Sequence, residues 1–165
     1  METVFLNGMA MHTCGHLPKV GEKAPELHLV GQDLMEINLE KYKGHRLVLN
    51  IFPSMDTDVC AASVRRFNAD VAKLEDTRVL CVSMDLPFAA TRFCTANGIK
   101  NVATGSGFRS QFGTKYGVRI EDGPMQGLYA RALVIIDRDG TVIGTSLCEQ
   151  ITEEPDYDFV KKILD

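Results

Sequence analysis

The run Leu47-Val48-Leu49-Asn50-Ile51-Phe52 is apolar everywhere but Asn50. A strand with no polar alternation is covered on both faces, so this segment belongs inside a sheet flanked by helices. Pro53-Ser54-Met55-Asp56-Thr57-Asp58-Val59-Cys60 follows at once. Beyond it, Val64, Phe67, Val71 and Leu74 recur at helical spacing, and the same stripe carried back one turn reaches Cys60. The spacing predicts a helix to about Glu75 with Cys60 in its first turn, facing the protein body. Unpaired backbone N–H groups and the helix dipole at that end suit an anionic sulfur. A small buried hydrophobe is the other role open to such a cysteine, and position alone does not choose between them.

The rest of the chain extends this strand–helix beginning. Thr3-Val4-Phe5-Leu6 and Asn7-Gly8 predict a strand and a hairpin turn, with the return strand within Met9 to His16. Gly15, Pro18, Gly21 and Pro25 punctuate a loop, and a short segment at Glu36–Leu39 precedes the turn Lys43-Gly44. Arg78 to Met84 reads as a second buried strand. Asp85-Leu86-Pro87 then opens a helix that carries Cys94 and stops at Asn97-Gly98. A short helix is expected over Phe108–Tyr116. Strands at Ala130–Asp137 and Thr141–Leu147 flank Arg138-Asp139-Gly140 as a hairpin, and Glu154–Leu164 closes the chain as a helix. The first strand–helix–strand unit should be a right-handed parallel crossover. The late hairpin adds antiparallel pairing, so the expected class is α/β: a thioredoxin-like fold with a central mixed sheet, flanking helices and an N-terminal β-hairpin. A flavodoxin-like sheet accommodates that hairpin less well. At 165 residues, one domain over residues 1–165 is expected.

Composition narrows the class of function. A net charge of −4 argues against a surface that coats nucleic acid. No apolar run is long enough to span a bilayer, and Met1 to Val20 lacks the basic-then-apolar order of a signal peptide, so a cytoplasmic location is expected. Cys14, Cys60, Cys81, Cys94 and Cys148 are odd in number, scattered, and without a CxxC pair, which argues against a disulfide framework or a zinc finger. Cys81, in a strongly apolar strand, and Cys148, ending another, read as structural thiols. His12, Cys14 and His16 alternate, so on a strand they would share a face. On a straight strand the outer pair would stand about 13 Å apart. The expectation is therefore no metal and no other cofactor.

Several segments together resemble the thiol peroxidase branch of the bacterial atypical two-cysteine peroxiredoxins. They are Asn50-Ile51-Phe52-Pro53-Ser54, the Pro53-x-x-x-Thr57-x-x-Cys60 motif with Ala61-Ala62-Ser63-Val64-Arg65, Asp85-Leu86-Pro87-Phe88-Ala89 and Arg92-Phe93-Cys94. Asp122-Gly123-Pro124 with Gly127-Leu128-x-Ala130-Arg131, and Glu153-Glu154-Pro155-Asp156-Tyr157, complete the set. The resemblance implies that Cys60 is the peroxidatic and Cys94 the resolving cysteine, and that Pro53, Thr57 and Arg131 fill the other catalytic positions. It also implies hydroperoxide as substrate, alkyl or lipid hydroperoxides preferred, thioredoxin as reductant, and a homodimer. Met55, Phe88 and Phe93 suit an apolar approach surface, a core or a dimer contact equally. A thioredoxin-fold adaptor that passes oxidation from Cys60 and Cys94 to a partner is the competing class. Rapid turnover with peroxide and thioredoxin separates the two.

Overall fold

The computed structural model describes residues 1–164. Among these residues, nine strands form two sheets. β1 (Thr3–Leu6) and β2 (Met9–His12) make the N-terminal antiparallel hairpin, turning through Asn7 and Gly8, both at positive φ. The central sheet holds β3 (His28–Val30), β4 (Glu36–Asn38), β5 (Arg46–Ile51), β6 (Thr77–Ser83), β7 (Ala103–Ser106), β8 (Ala132–Ile136) and β9 (Val142–Leu147), in the order β4-β3-β7-β6-β5-β8-β9. β5, β6 and β7 are parallel neighbours, and the remaining pairings are antiparallel. This is the mixed sheet the sequence predicts.

Alternation along the strands divides the core in two. Val48 on β5, Cys81 on β6 and Leu133 and Ile135 on β8 face a cluster built with helices α1 (Asp58–Ala69), α2 (Pro87–Asn97) and α4 (Tyr157–Leu164). Leu47, Leu49, Ile51, Leu80, Val82, Ala132 and Val134 face the other way, toward Phe112 of the short helix α3 (Phe112–Lys115), Tyr116 and Tyr129. Successive crossovers β5–α1–β6 and β6–α2–β7 move in one direction along the sheet. A constant hand therefore puts α1 and α2 on the same face.

The helices differ from expectation at their ends. α1 stops at Ala69 rather than Glu75; Asp70, whose carboxylate accepts from Arg66 Nε at 2.6 Å, leads into a 3₁₀ turn at Val71–Lys73. α3 covers only the later part of the segment Phe108–Tyr116, because Phe108 and Ser110 are held in turns at the end of β7. α2 begins at Pro87 and ends at Gly98 in the left-handed region, both as read from sequence. β3 and β7, neither of them expected, extend the sheet beyond β6. Gly105 is what lets them approach, since a Cβ there would lie 2.8 Å from Leu29 Cδ1. No helix among the described residues is long and apolar enough to cross a membrane.

Candidate active site

Sheet register sets the site. Ile51 pairs with Ala132 in the antiparallel β5–β8 ladder, so continuing the register puts Arg131 opposite Phe52, where β5 runs out into Pro53. Arg131 has the parity of Leu133 and Ile135, which places it on the helical face. The side chain is 1% exposed, although arginine is ordinarily a surface residue.

Cys60 comes to the same point from α1. Cys60, Val64 and Phe67 are fully buried along one stripe of that helix. Burial of side chains such as Val64 and Phe67 is worth roughly 1.5–3 kcal/mol each and fixes the helix, and with it the thiol, against the sheet. Arg131 Nη2 donates to Cys60 Sγ at 3.1 Å, and Nε donates to the Ile151 carbonyl at 3.0 Å. Nη1 is buried and has no partner among the described residues. An unpaired guanidinium N–H in a buried site is a donor held in reserve beside the sulfur.

Thr57 is the N-cap of α1. Its Oγ1 accepts from the Cys60 N–H at 3.4 Å and donates to the Ser54 carbonyl at 3.0 Å. The hydroxyl thus fastens the turn on both sides. Pro53 is buried at the exit of β5 and contributes no N–H to the loop. Asp85, at the end of β6, holds that loop from beneath. Its carboxylate accepts from Ser54 Oγ at 2.7 Å, the Met55 N–H at 2.8 Å and Ser83 Oγ at 2.8 Å. The sequence places Asp85 at the start of a helix and in a segment that carries the family resemblance, without a role in the loop; its position after a buried strand and before Leu86-Pro87 is the signal for one.

Cys94 lies on α2, 5% exposed, and is a free thiol like Cys60. Its sulfur faces Gln32 Nε2 at 3.6 Å, not Arg131. Burial pushes the Cys94 thiol up from its ordinary value, and the Gln32 hydrogen bond opposes that rise. Between the two helices a polar row crosses the sheet on the same face: Asn50 pairs with Cys81, and Cys81 with Thr104. Asn50 Nδ2 donates to Ser63 Oγ at 3.2 Å and to Cys81 Sγ at 3.7 Å, and Ser63 Oγ donates to the Cys60 carbonyl at 2.8 Å. Cys81 is fully buried, and burial pushes its thiol up to about 12, which agrees with a structural role. Cys148 is half-buried, with its N–H bonded to the Arg131 carbonyl at 2.9 Å.

The remaining sequence candidates separate. Met55 is buried in the cluster that holds Cys60, Phe93 packs half-buried against it, and Phe88 is 67% exposed. The return strand ends at His12, which bonds Asp122; Cys14 Sγ donates to the Gly113 carbonyl; His16 Nδ1 lies 2.6 Å from Glu2 Oε1. These three side chains are taken up by three different partners. The open cleft lined by Lys23, Tyr42, His45 and Arg138, about 190 Å³, is at the other end of β5 and β8 from Arg131 and is separate from this site.

A Redoxin family model matches residues 19–161. The chain is 49% identical over 158 residues to the thiol peroxidase of Corynebacterium glutamicum, covering 96% of each protein. It is 51% identical over 158 residues to the thiol peroxidase of Mycobacterium tuberculosis, covering 96% of this chain and 95% of that one. Among solved structures, a peroxiredoxin-like protein from Aquifex aeolicus superposes with a TM-score of 0.93 at 43% identity, covering 99% of this chain and 96% of the other. Thiol peroxidase from Chromobacterium violaceum gives 0.89 at 22% identity over 98% and 94%, a likeness of fold.

Proposed function

Because this chain belongs to the Redoxin family, within the bacterial thiol peroxidase branch of the peroxiredoxins, we propose that it reduces hydrogen peroxide and organic hydroperoxides through Cys60 and is recycled by thioredoxin. The observation that carries this reading is the buried Cys60–Arg131 contact, with Arg131 Nη1 unpaired beside it. A peroxide is a small ligand with two adjacent oxygens. The sulfur attacks one, and a guanidinium next to it donates to the oxygen on which charge develops.

In this mechanism the Cys60 thiolate attacks the nearer peroxide oxygen, the O–O bond breaks, and the sulfur becomes a sulfenic acid. The leaving oxygen takes a proton and departs as water or an alcohol. Arg131 binds the developing anion. Thr57 orders the turn and, with its hydroxyl turned from the Ser54 carbonyl, donates to the same oxygen. Pro53 removes a competing N–H and shields the thiol from water. The Cys94 thiolate then attacks the Cys60 sulfenic sulfur; the S–S bond forms, the S–O bond breaks, and hydroxide leaves to become water. Thioredoxin supplies the two electrons that restore both thiols. The odd, scattered cysteines agree with a reducing compartment, the cytoplasm.

In the structure both sulfurs are buried and engaged elsewhere, Cys60 with Arg131 and Cys94 with Gln32. Disulfide geometry needs Cβ atoms about 3.5–4.5 Å apart, so the ends of α1 and α2 open locally in this step. Peroxide consumption coupled to a thioredoxin reducing system tests the whole cycle, and turnover no faster than in the Cys60→Ala protein would refute it. Cys94→Ser is expected to consume one equivalent of peroxide at the normal rate and then stall. Mass spectrometry of the quenched protein should show oxidised Cys60 without a crosslink. Normal recycling by this variant would remove Cys94 from the mechanism.

We further propose that the apolar side chains left open near the site meet a second copy of the chain. Leu86 is 49% and Phe88 67% exposed at the start of α2, and Phe108, 40% exposed, follows Gly107, whose N–H bonds the Ser83 carbonyl at the same end of the sheet. Aromatic residues at such a surface suit an interface. The homodimer is expected to cover this region and the loop before α1. Sedimentation should give a dimer at micromolar concentration, and Phe88→Glu should shift it to monomer; a wild-type monomer in both redox states would contradict the assignment.

A further inference from the structure

We propose that Gln32 is a positioning residue for the resolving step: its side-chain amide, fixed between Thr104 and Cys94, favours the Cys94 thiolate, which becomes the nucleophile for oxidised Cys60 as the end of α2 opens. This rests on the reading of Cys94 as the resolving cysteine.

The placement follows from the two strands the sequence does not announce. Val30 on β3 pairs with Ser106 on β7, antiparallel. Continuing that register puts Gln32 opposite Thr104. Thr104 pairs with Cys81, so it projects from the helical face, toward α2. Gln32 therefore leaves the sheet edge directly beside the resolving helix. Its Nε2 donates to Thr104 Oγ1 at 3.0 Å and to Cys94 Sγ at 3.6 Å.

The turn that carries Gln32 is tightly built. The Gly31 N–H donates to the Met35 carbonyl and the Leu34 N–H to the Gly31 carbonyl, both at 2.9 Å, while the Met35 N–H donates to Asp33 Oδ1 at 3.0 Å. Leu34 holds a φ of 67°, a conformation unusual for a branched side chain. A solvent-exposed glutamine would ordinarily be free to rotate. Here the backbone is fixed and the amide is pinned through Thr104, so its second N–H is delivered to the sulfur.

The chemical effect has one direction. The attacking species is the thiolate, and an N–H donor favours it. Burial raises the Cys94 thiol, and Gln32 works against that rise. The titratable group that faces Cys94 from the sheet is Cys81 of β6, a neutral thiol at physiological pH; Gln32 and Thr104, facing it from the β3–β4 turn and from β7, are uncharged.

The test uses intact protein mixed rapidly with one equivalent of hydrogen peroxide, quenched with an alkylating agent, and analysed for Cys60 sulfenic acid and Cys60–Cys94 disulfide. Gln32→Met keeps the cover and removes the donor. It should oxidise Cys60 at the wild-type rate and form the disulfide about five- to tenfold more slowly at neutral pH, the effect of weakening one charge-assisted hydrogen bond. Gln32→Glu replaces the amide that donates to Thr104 Oγ1 with an acceptor the Thr104 hydroxyl can turn to, and puts a carboxylate beside the sulfur. It should displace the pH profile of disulfide formation upward by about one unit, while Cys60 oxidation is unmoved. A part in folding alone would not move that profile. Disulfide formation within twofold of wild type in both variants, or faster, overturns the proposal while Cys94→Ser still blocks the disulfide. Rapid recycling by Cys94→Ser would overturn the resolving role itself, and this proposal with it.

Discussion

Replacing Cys60 with serine should reduce peroxide consumption to the uncatalysed rate, with hydrogen peroxide and organic hydroperoxides alike. Three of the other four cysteines are poor substitutes. Cys81 is fully buried and pushed up to about 12, and burial raises Cys94 and Cys148 as well. Each is therefore poorer in thiolate, the only competent nucleophile. Cys60 alone combines the first turn of a helix with a guanidinium donor. A serine hydroxyl preserves the volume and accepts the Arg131 hydrogen bond, so the fold should survive. Peroxide loss measured against an unchanged melting curve checks this. Residual thioredoxin-linked turnover above background would show that another thiol carries the reaction.

Arg131→Met should slow Cys60 oxidation by about 10²–10³-fold, the loss usual when a preorganised donor to a developing anion is removed. The variant removes both the Nη2–Sγ contact and the unpaired Nη1. It also leaves the Ile151 carbonyl without its Nε donor, so a stability loss of about 1–3 kcal/mol should accompany it. Arg131→Lys restores a charge but not the fork that bonds Ile151 and the sulfur together, so most of the defect should persist. Rapid mixing under single-turnover conditions separates the chemical defect from the thermal one. Oxidation within threefold of wild type would assign Arg131 to structure alone.

Elements with strong local signatures were legible in the sequence. The buried run ending at Phe52, the stripe Cys60, Val64 and Phe67, the Pro87 start and Gly98 stop of α2, and the turn at Arg138-Asp139-Gly140 all stand where expected. What remained hidden depends on non-local pairing. β3 has three residues, and β7 is Ala-Thr-Gly-Ser, a poor strand sequence that is one through its pairing with β6 and that admits Leu29 of β3 at Gly105. The partnership of Gln32, Thr104 and Cys94 depends on that pairing and was invisible for the same reason. The Cys60–Arg131 contact spans 71 positions and joins two elements by register. Residue patterns located each half, and family resemblance suggested that they meet. Fully buried strands gave no alternation from which the direction of Arg131 could be read.

The thin seam beneath α2 has a further consequence. Pro87, Ala90 and Cys94 are the buried residues of that helix, and no side chain caps its N-terminus. In the disulfide state proposed above, part of α2 is opened, so the free energy of refolding it is released when thioredoxin reduces the bond. That energy therefore adds to the driving force for reduction and raises the midpoint potential of the couple. For two electrons, about 1.4 kcal/mol of helix stability corresponds to about 30 mV. A weakly anchored helix keeps this contribution small. The packing of three side chains thus acts as a potentiometric setting, balancing ease of oxidation by peroxide against ease of return by the reductant.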